Sequence, residues 1–219
     1  MVDFSQARRA MVDGQLRTAD VTRTDILDIF SAIPRELFVD PSEKAVAYAD
    51  RAVLSAGGAG RKILSAMNLA RMIQATEIKP GDRVLDVAGG AGYSTALMTG
   101  LGGQVTFLED HAERCVVASD ILKRLNIPEA DVQQGELTTG HDQGAPYDII
   151  LMNGRCEQIP QSLFQQLKEG GRLVAIVGNA VASEVRVYTL SDGSVGEKRL
   201  MSASGSLLSG FIQVSGFVF

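Results

Sequence analysis

The chain has 219 residues, of which 45% are hydrophobic and 21% charged, a composition typical of a globular protein with a sizeable core. Its 26 acidic and 21 basic residues give a net charge of −5, which argues against nucleic acid or an anionic membrane as a partner. No apolar run is long enough to cross a bilayer and we see no secretory leader, so we expect a cytoplasmic protein. Cys115 and Cys156 lie far apart and only two histidines accompany them, so neither a disulfide framework nor a metal site is indicated.

The first part of the chain has the pattern of helical cover followed by a loop. Apolar residues recur at helical spacing from residue 5 to about 50, and "IPREL" (33–37) predicts a turn of helix begun by a proline. The segment "SAGGAGRK" (55–62) is rich in small residues and has no periodicity, which predicts a flexible loop that is a candidate lid or substrate loop. A helix is expected in "LSAMNLARMIQATE" (64–77).

From residue 79 onward, strands alternate with helices. The predicted elements are a strand at 83–87, a helix from 93, a strand at 104–108, a helix at 112–125, strands at 130–134 and 147–152, a helix at 160–170 and a strand at 170–178. Near-continuous apolar strands indicate a sheet buried on both faces, hence a doubly wound, mostly parallel α/β domain. Residues 183–190 and 208–219 alternate at period two around a turn-rich stretch, 191–199, which predicts closing antiparallel strands.

We therefore expect one compact unit with two regions, an N-terminal helical and substrate-loop region (1–78) and an α/β domain (79–219).

The glycine-rich turn "VLDVAGGAGYST" (84–95) marks the expected ligand site. In a doubly wound sheet the first strand-to-helix turn is where backbone amides can approach a nucleotide. The dinucleotide fingerprint G-x-G-x-x-G fails here because Thr95 replaces its third glycine, and there is no Walker lysine. Glu109 ends the next strand, where a carboxylate can accept hydrogen bonds from both ribose hydroxyls of an adenosine. These features indicate an adenosine ligand without a pyrophosphate. Glycines that serve turn geometry alone are the alternative.

Several further segments carry a family pattern. They are "MVDGQLRTADVT" (11–22), "IPRELFVD" (33–40), "AYADRAVL" (47–54), "IKPGDRVLDV" (78–87), "GAGYSTALM" (90–98), "APYDIILMNG" (145–154) and "IPQSLFQQLKEGGRLVAIVG" (159–178). In these segments the chain resembles the protein-L-isoaspartate O-methyltransferase family of S-adenosylmethionine-dependent methyltransferases. The resemblance implies a seven-stranded Rossmann-like sheet, S-adenosylmethionine as cofactor, and protein repair by methyl transfer to isoaspartyl carboxylates.

The resemblance also implies a set of cofactor-binding residues. They are Asp86, Ala88, Gly89, Gly90, Gly92 and Tyr93 in the glycine turn, Glu109 at the ribose, and Gly135, Glu136 and Leu137 at the adenine. Three positions depart from the family, since Ala88 and Leu137 replace glycines and Glu136 replaces an aspartate. A positive φ at Ala88 would cost about 1–2 kcal/mol unless Gly89 relocates the turn. Leu137 would narrow the adenine pocket, and Tyr93 has packing as its alternative role.

The substrate segment "GRKILSAMN" (60–68) departs further. Five family residues (glutamine, threonine, serine, proline and histidine) are replaced by Arg61, Lys62, Leu64, Ala66 and Met67. Ser65 follows the family serine position by one, and an extra residue at Ala59 would allow a local shift to restore it. Because the acceptor carboxylate is already ionised, orientation matters more than a strong base. Arg61 and Lys62 could clamp an acidic substrate, the alternative being solvated loop charges. Ser65, Arg61 and Lys62 are therefore the candidate catalytic residues.

Three functions stay open at this point. The first is an isoaspartyl carboxyl methyltransferase whose partner is an acidic peptide or protein. The second is a methyltransferase of the same fold that uses another acidic acceptor, such as a small acid. The third is a non-catalytic relative that binds a nucleoside or protein. An oxidoreductase is least supported because the dinucleotide fingerprint fails at Thr95.

Overall fold

The computed structural model of the protein describes residues 3–58, 60–127 and 130–212. The helices are α1 (Phe4–Met11), α2 (Thr24–Ala32), α3 (Ala66–Thr76), α4 (Tyr93–Gly100), α5 (Ala112–Arg124) and α6 (Gln161–Gln165). The strands are β1 (Val53–Leu54), β2 (Lys62–Ile63), β3 (Arg83–Val87), β4 (Gln104–Glu109), β5 (Asp131–Gln134), β6 (Tyr147–Cys156), β7 (Leu167–Gly178), β8 (Ser183–Ser191) and β9 (Ser194–Ser202). Within these ranges, no helix combines the length and the apolar character that a membrane span requires.

Seven of the strands form one sheet in the order β5-β4-β3-β6-β7-β8-β9. Neighbours from β5 to β7 are parallel, whereas β7, β8 and β9 pair antiparallel. The predicted doubly wound, mostly parallel sheet is confirmed. The strand order reverses direction between β3 and β6, and ligands bind beyond the carboxyl ends of strands at such a switch point. The fold therefore places the site at the carboxyl ends of β3, β4 and β6.

The N-terminal helices cover one face of the sheet and share its core. Apolar side chains of this region, including Leu16, Phe30 and Phe38, belong to one buried cluster with Val84 of β3. The predicted turn after Pro34 is present as a 3₁₀ turn at Arg35–Leu37. Arg35 is fully buried and its guanidinium donates to the carbonyls of Ala47 and Leu64, both at 2.8 Å. Because a buried cation requires such partners, Arg35 fastens two distant segments beneath the site.

Two predicted elements end differently in the structure. Helix α6 stops at Gln165, and the next strand begins at Leu167 because Leu167 pairs with Tyr147 of β6 before a register shift. The predicted turn-rich stretch, 191–199, is a short turn followed by most of β9. Asp192 and Gly193 both adopt positive φ and form a two-residue hairpin turn, so the strand begins directly after them. The predicted strand at 208–219 is absent up to residue 212, and its remainder lies outside the described residues.

The glycine turn after β3 contains one strained residue. Ala88 has φ of +59°, in the left-handed region beside Gly90 at +64° and Gly92 at +91°. Gly89 does not take over this conformation. Its lack of a side chain serves packing instead, because a Cβ there would lie 2.8 Å from the Phe107 ring. The position that the resemblance assigns to a family glycine is therefore left-handed although it holds alanine, at an expected cost of about 1–2 kcal/mol.

This strain predicts different outcomes for two alanine-to-glycine changes. Both Ala88 and Ala91 are buried in the same turn, so each change removes one buried methyl and adds unfolded-state freedom, but only Ala88 is left-handed. We expect Ala91→Gly to lower the free energy of unfolding by about 1 kcal/mol, and Ala88→Gly to be about 1–2 kcal/mol more stable than Ala91→Gly. Urea unfolding of the two variants measures the difference. Equal losses would show that the left-handed turn stores no strain.

Candidate active site

Asp86 lies one residue before the end of β3 and holds the glycine turn in place. Its fully buried carboxylate accepts hydrogen bonds from the Ser94 hydroxyl at 2.7 Å, the Thr95 hydroxyl at 2.5 Å and the Asn153 amide at 2.6 Å. Burial, opposed by these bonds, raises the pKa of Asp86 to about 6. Asp86 therefore joins β3 to the first turn of α4 and to β6, and its oxygens are directed at protein donors.

Glu109, the predicted ribose acid, is fully buried and bonded within the protein. Arg61 makes a two-point contact, from Nη2 to Oε1 at 2.7 Å and from Nε to Oε2 at 3.2 Å. Arg114 Nη1 lies 2.5 Å from Oε1, and the backbone amides of Gly90 and Asp110 donate at 3.0 and 3.1 Å. A carboxylate offers about four lone-pair positions. These donors saturate Glu109.

Ser55 and Arg61 of the predicted lid loop (55–62) lie directly on the glycine turn. Ser55 Oγ accepts from the amide of Ala91 at 2.8 Å, and a Cβ on Gly90 would lie 2.7 Å from that oxygen. Arg61 passes over the same glycine, since that Cβ would also lie 3.4 Å from Arg61 Cγ. Ser55 and Arg61 therefore occupy the space beside Gly90 that a side chain would fill. The amides of Gly90 and Ala91 both have protein acceptors.

A segment near the C-terminal end of the described chain covers the other side of the site. We define residues 205–211 as the C-terminal strap. Leu208 and Phe211 of this strap are buried in the same apolar cluster as Leu137. Glu136 is exposed and its carboxylate accepts from Thr138 Oγ1 at 2.5 Å. At the predicted adenine position, Leu137 therefore packs into the core beside the strap.

The three candidate catalytic residues have different surroundings in the structure. Arg61 is 9% exposed and pairs with Glu109, so neither a solvated charge nor a substrate clamp describes it in this arrangement. Lys62 is exposed on β2. Ser65 is the N-cap of α3, where its hydroxyl accepts from the amide of Asn68 at 3.3 Å. Ala59, the extra residue expected to let Ser65 take the family serine position, lies outside the described residues.

Tyr93 lies away from this group. Its ring is buried against Phe30 and Phe38, with centroid distances of 6.0 and 5.3 Å, and the Arg35 guanidinium lies 5.0 Å from its centroid. In the structure Tyr93 therefore packs in the core and does not line the predicted cofactor site.

Sequence analysis did not identify Arg114, Ser55 or Asn153. A pairing of Arg114 with Asp110 could have been predicted, because Arg114 stands four residues after Asp110 near the start of α5. In the structure the two side chains lie 3.0 Å apart. Ser55 and Asn153 gave no such signal. Each is a single polar residue, and its role depends on which segment the fold places opposite it.

An adenosyl group does not fit beside Glu109 in this arrangement. The saturated carboxylate has no position left for ribose hydroxyls. The cavity next to it, lined by Arg61, Lys62, Asp110, Asn153 and residues of the strap, measures about 190 Å³, against about 300–1,000 Å³ for pockets that enclose ligands of such size. The chain's own side chains fill the position that the resemblance assigns to the cofactor.

The model of the protein-L-isoaspartate(D-aspartate) O-methyltransferase family matches residues 6–204. The chain belongs to this family. It is therefore a methyltransferase by descent and fold. A protein-L-isoaspartate O-methyltransferase of Koribacter versatilis is 34% identical over 200 residues, covering 91% of this chain and 89% of that one. One of Methanoculleus marisnigri is 35% identical over 196 residues, covering 86% and 88%.

Two solved structures share the fold. A protein-L-isoaspartate O-methyltransferase superposes with a TM-score of 0.80 at 24% identity, covering 92% of this chain and 66% of its own longer chain. A Plasmodium falciparum protein assigned to the same activity, in complex with S-adenosyl-L-homocysteine, gives a TM-score of 0.78 at 18% identity, covering 92% and 98%. At these identities the likeness establishes the seven-stranded methyltransferase fold.

The raised pKa of Asp86 predicts a pH dependence of stability. The folded protein retains this proton up to about pH 6, whereas an unfolded aspartate releases it near pH 3.9. Stability from this group is therefore greatest below about pH 4 and falls as pH rises to 6. Asp86→Asn keeps an acceptor for Asn153, and the Ser94 and Thr95 hydroxyls can rotate to accept.

We expect the free energy of unfolding of Asp86→Asn, relative to the unchanged protein, to increase by an amount on the order of 2–3 kcal/mol between pH 4 and pH 7. Urea unfolding across that range measures this difference, in which titrations common to both proteins cancel. A difference that stays constant with pH would contradict the raised pKa.

Proposed function

We propose that the protein transfers a methyl group from S-adenosylmethionine to the free α-carboxylate of isoaspartyl residues in damaged proteins. The observation that carries the proposal is the family match over residues 6–204, which includes the glycine turn, Asp86 and Glu109. The Plasmodium falciparum neighbour was solved with S-adenosyl-L-homocysteine, the product that remains after S-adenosylmethionine gives up its methyl group. The family match also favours an enzyme over a non-catalytic relative. A cytoplasmic location belongs to this proposal.

The proposed roles of individual residues follow from their positions. Asp86 orders the turn through Ser94 and Thr95, and Glu109 is the proposed ribose ligand once Arg61 has left its carboxylate. Lys62 is exposed at the rim of the cavity that Asn153 also lines. We assign Lys62 to attract and orient the acceptor carboxylate as a point charge. Ser65 supports this rim by capping α3.

A second candidate acceptor is supported by one observation. Leu64 stands at the family serine position and is 3% exposed, so no hydroxyl faces an acceptor there. An acidic acceptor that depends on charge more than on a hydroxyl contact, such as a different protein carboxylate or a small acid, would suit this rim.

The proposal predicts a difference between two peptides of identical composition. We expect a base-labile methyl ester on an isoaspartyl peptide and none on its normal aspartyl twin, measured with methyl-labelled S-adenosylmethionine at saturating concentration. Lys62→Gln should raise the KM for the peptide several-fold and leave kcat nearly unchanged, because it weakens long-range attraction more than the chemical step. Esters on neither peptide would exclude isoaspartyl repair. Equal labelling of both would indicate a broader acidic acceptor.

A further inference from the structure

Arg61 reaches the predicted ribose acid from a segment 48 residues earlier in the chain. The Arg61 side chain is 9% exposed, and the side chain of Glu109, whose carboxylate it contacts, is 0% exposed. A planar guanidinium matches a carboxylate at two points, which is the geometry of the strongest such pairs. Ribose hydroxyls would need the same carboxylate oxygens as acceptors. Arg61 and an adenosyl group are therefore alternative partners for Glu109.

The loop that carries Arg61 is fixed at several points. Ser55 donates its amide to the Arg61 carbonyl at 2.9 Å, and the Ala56 amide donates to Phe38 at 2.9 Å. The Arg114 guanidinium, which shares Glu109, also contacts the carbonyl of Gly58 at 3.4 Å. The loop and the ion pair therefore hold one another in the closed position.

The C-terminal strap closes the same cleft independently. Ser206 accepts from the amide of Arg155 at 2.8 Å, and Leu208 donates to the carbonyl of Arg155 at 2.9 Å, just beyond the centre of the sheet. Ser209 Oγ lies 3.3 Å from Asp110 Oδ2 on the far side of the cleft. The strap thus spans from β6 to the residue that follows β4.

We propose that Arg61, together with the C-terminal strap, occupies the Glu109 pocket and competes with S-adenosylmethionine for it. We call Arg61 in this position the internal plug. This inference rests on the proposed function, because it concerns the cofactor site of that reaction. A ligand that binds only the open form has its apparent affinity lowered by the fraction of open molecules. The plug therefore sets how tightly the cofactor binds, and Arg61 is its determining residue.

The substitution Arg61→Gln tests the plug directly. Glutamine is neutral and cannot form the two-point ion pair, while Glu109 keeps Arg114 and two backbone donors. We expect Arg61→Gln to bind S-adenosyl-L-homocysteine at least tenfold more tightly than the unchanged protein in isothermal titration calorimetry. Arg51→Gln is the matched control, since Arg51 is half-exposed and its ion-pair partner among the described residues is Glu43. Its affinity should stay within twofold of the unchanged protein.

Arg61→Lys keeps the experiment decisive if the glutamine variant folds poorly. Lysine retains the charge but can offer only a point contact, so its affinity for S-adenosyl-L-homocysteine should lie between those of the unchanged protein and Arg61→Gln. Thermal unfolding without ligand identifies any variant that is not folded. Affinities of both Arg61 variants within twofold of the unchanged protein would overturn the plug.

The two proposals fail in distinguishable ways. Tight and equal binding of S-adenosyl-L-homocysteine by all variants would overturn the plug and leave methyl transfer intact. No binding by any variant at millimolar ligand would overturn the plug and remove the cofactor from the proposed function. Tighter binding by Arg61→Gln without ester on any peptide would support the plug and reject the isoaspartyl acceptor.

Discussion

The Glu109 carboxylate determines how the carboxyl edge of the sheet is arranged. A fully buried anion is costly unless charged and hydrogen-bonding partners surround it. Here the partners come from four places: Arg61 on the loop after β1, Arg114 on α5, the amide of Gly90 in the glycine turn, and the amide of Asp110 after β4. One charge therefore fastens a loop, a helix and the glycine turn together, and movement of any one of them changes the environment of the other two.

Asp86 and Glu109 lie at the carboxyl ends of the adjacent strands β3 and β4, but different groups stabilise their buried carboxyl groups. Burial raises the pKa of Asp86 to about 6 against the opposing effect of its hydroxyl and amide donors, whereas Glu109 has two arginines beside it. The glycine turn lies between them, with Ser94 and Thr95 on one acid and the Gly90 amide on the other. A turn fixed at both ends can hold Ala88 at positive φ, because strained backbone persists where its surroundings over-determine it.

The sequence predicted the sheet better than the partners within the site. Strands β3, β4 and β6 are buried apolar runs, and that pattern is local. The early end of α6 depends on pairing between Leu167 and Tyr147, which no local pattern shows. The sequence predicted Arg61 as a candidate clamp for an acidic substrate, whereas the structure pairs it with Glu109, because only the folded chain shows that this carboxylate is within reach and fully buried. Distant pairs of this kind require the tertiary structure.

Three of the departures from the family act in one direction. Arg61, Leu64 and Leu137 each replace a smaller or uncharged residue, and each is buried or nearly so against the protein itself. An empty polar cleft would otherwise have to be filled by ordered water, whereas this cleft is filled by its own side chains. A ligand that enters must exchange those internal contacts for its own, so its affinity is a difference between two sets of contacts. Divergence of the substrate segment and closure of the cofactor cleft are therefore linked, since the same loop carries both.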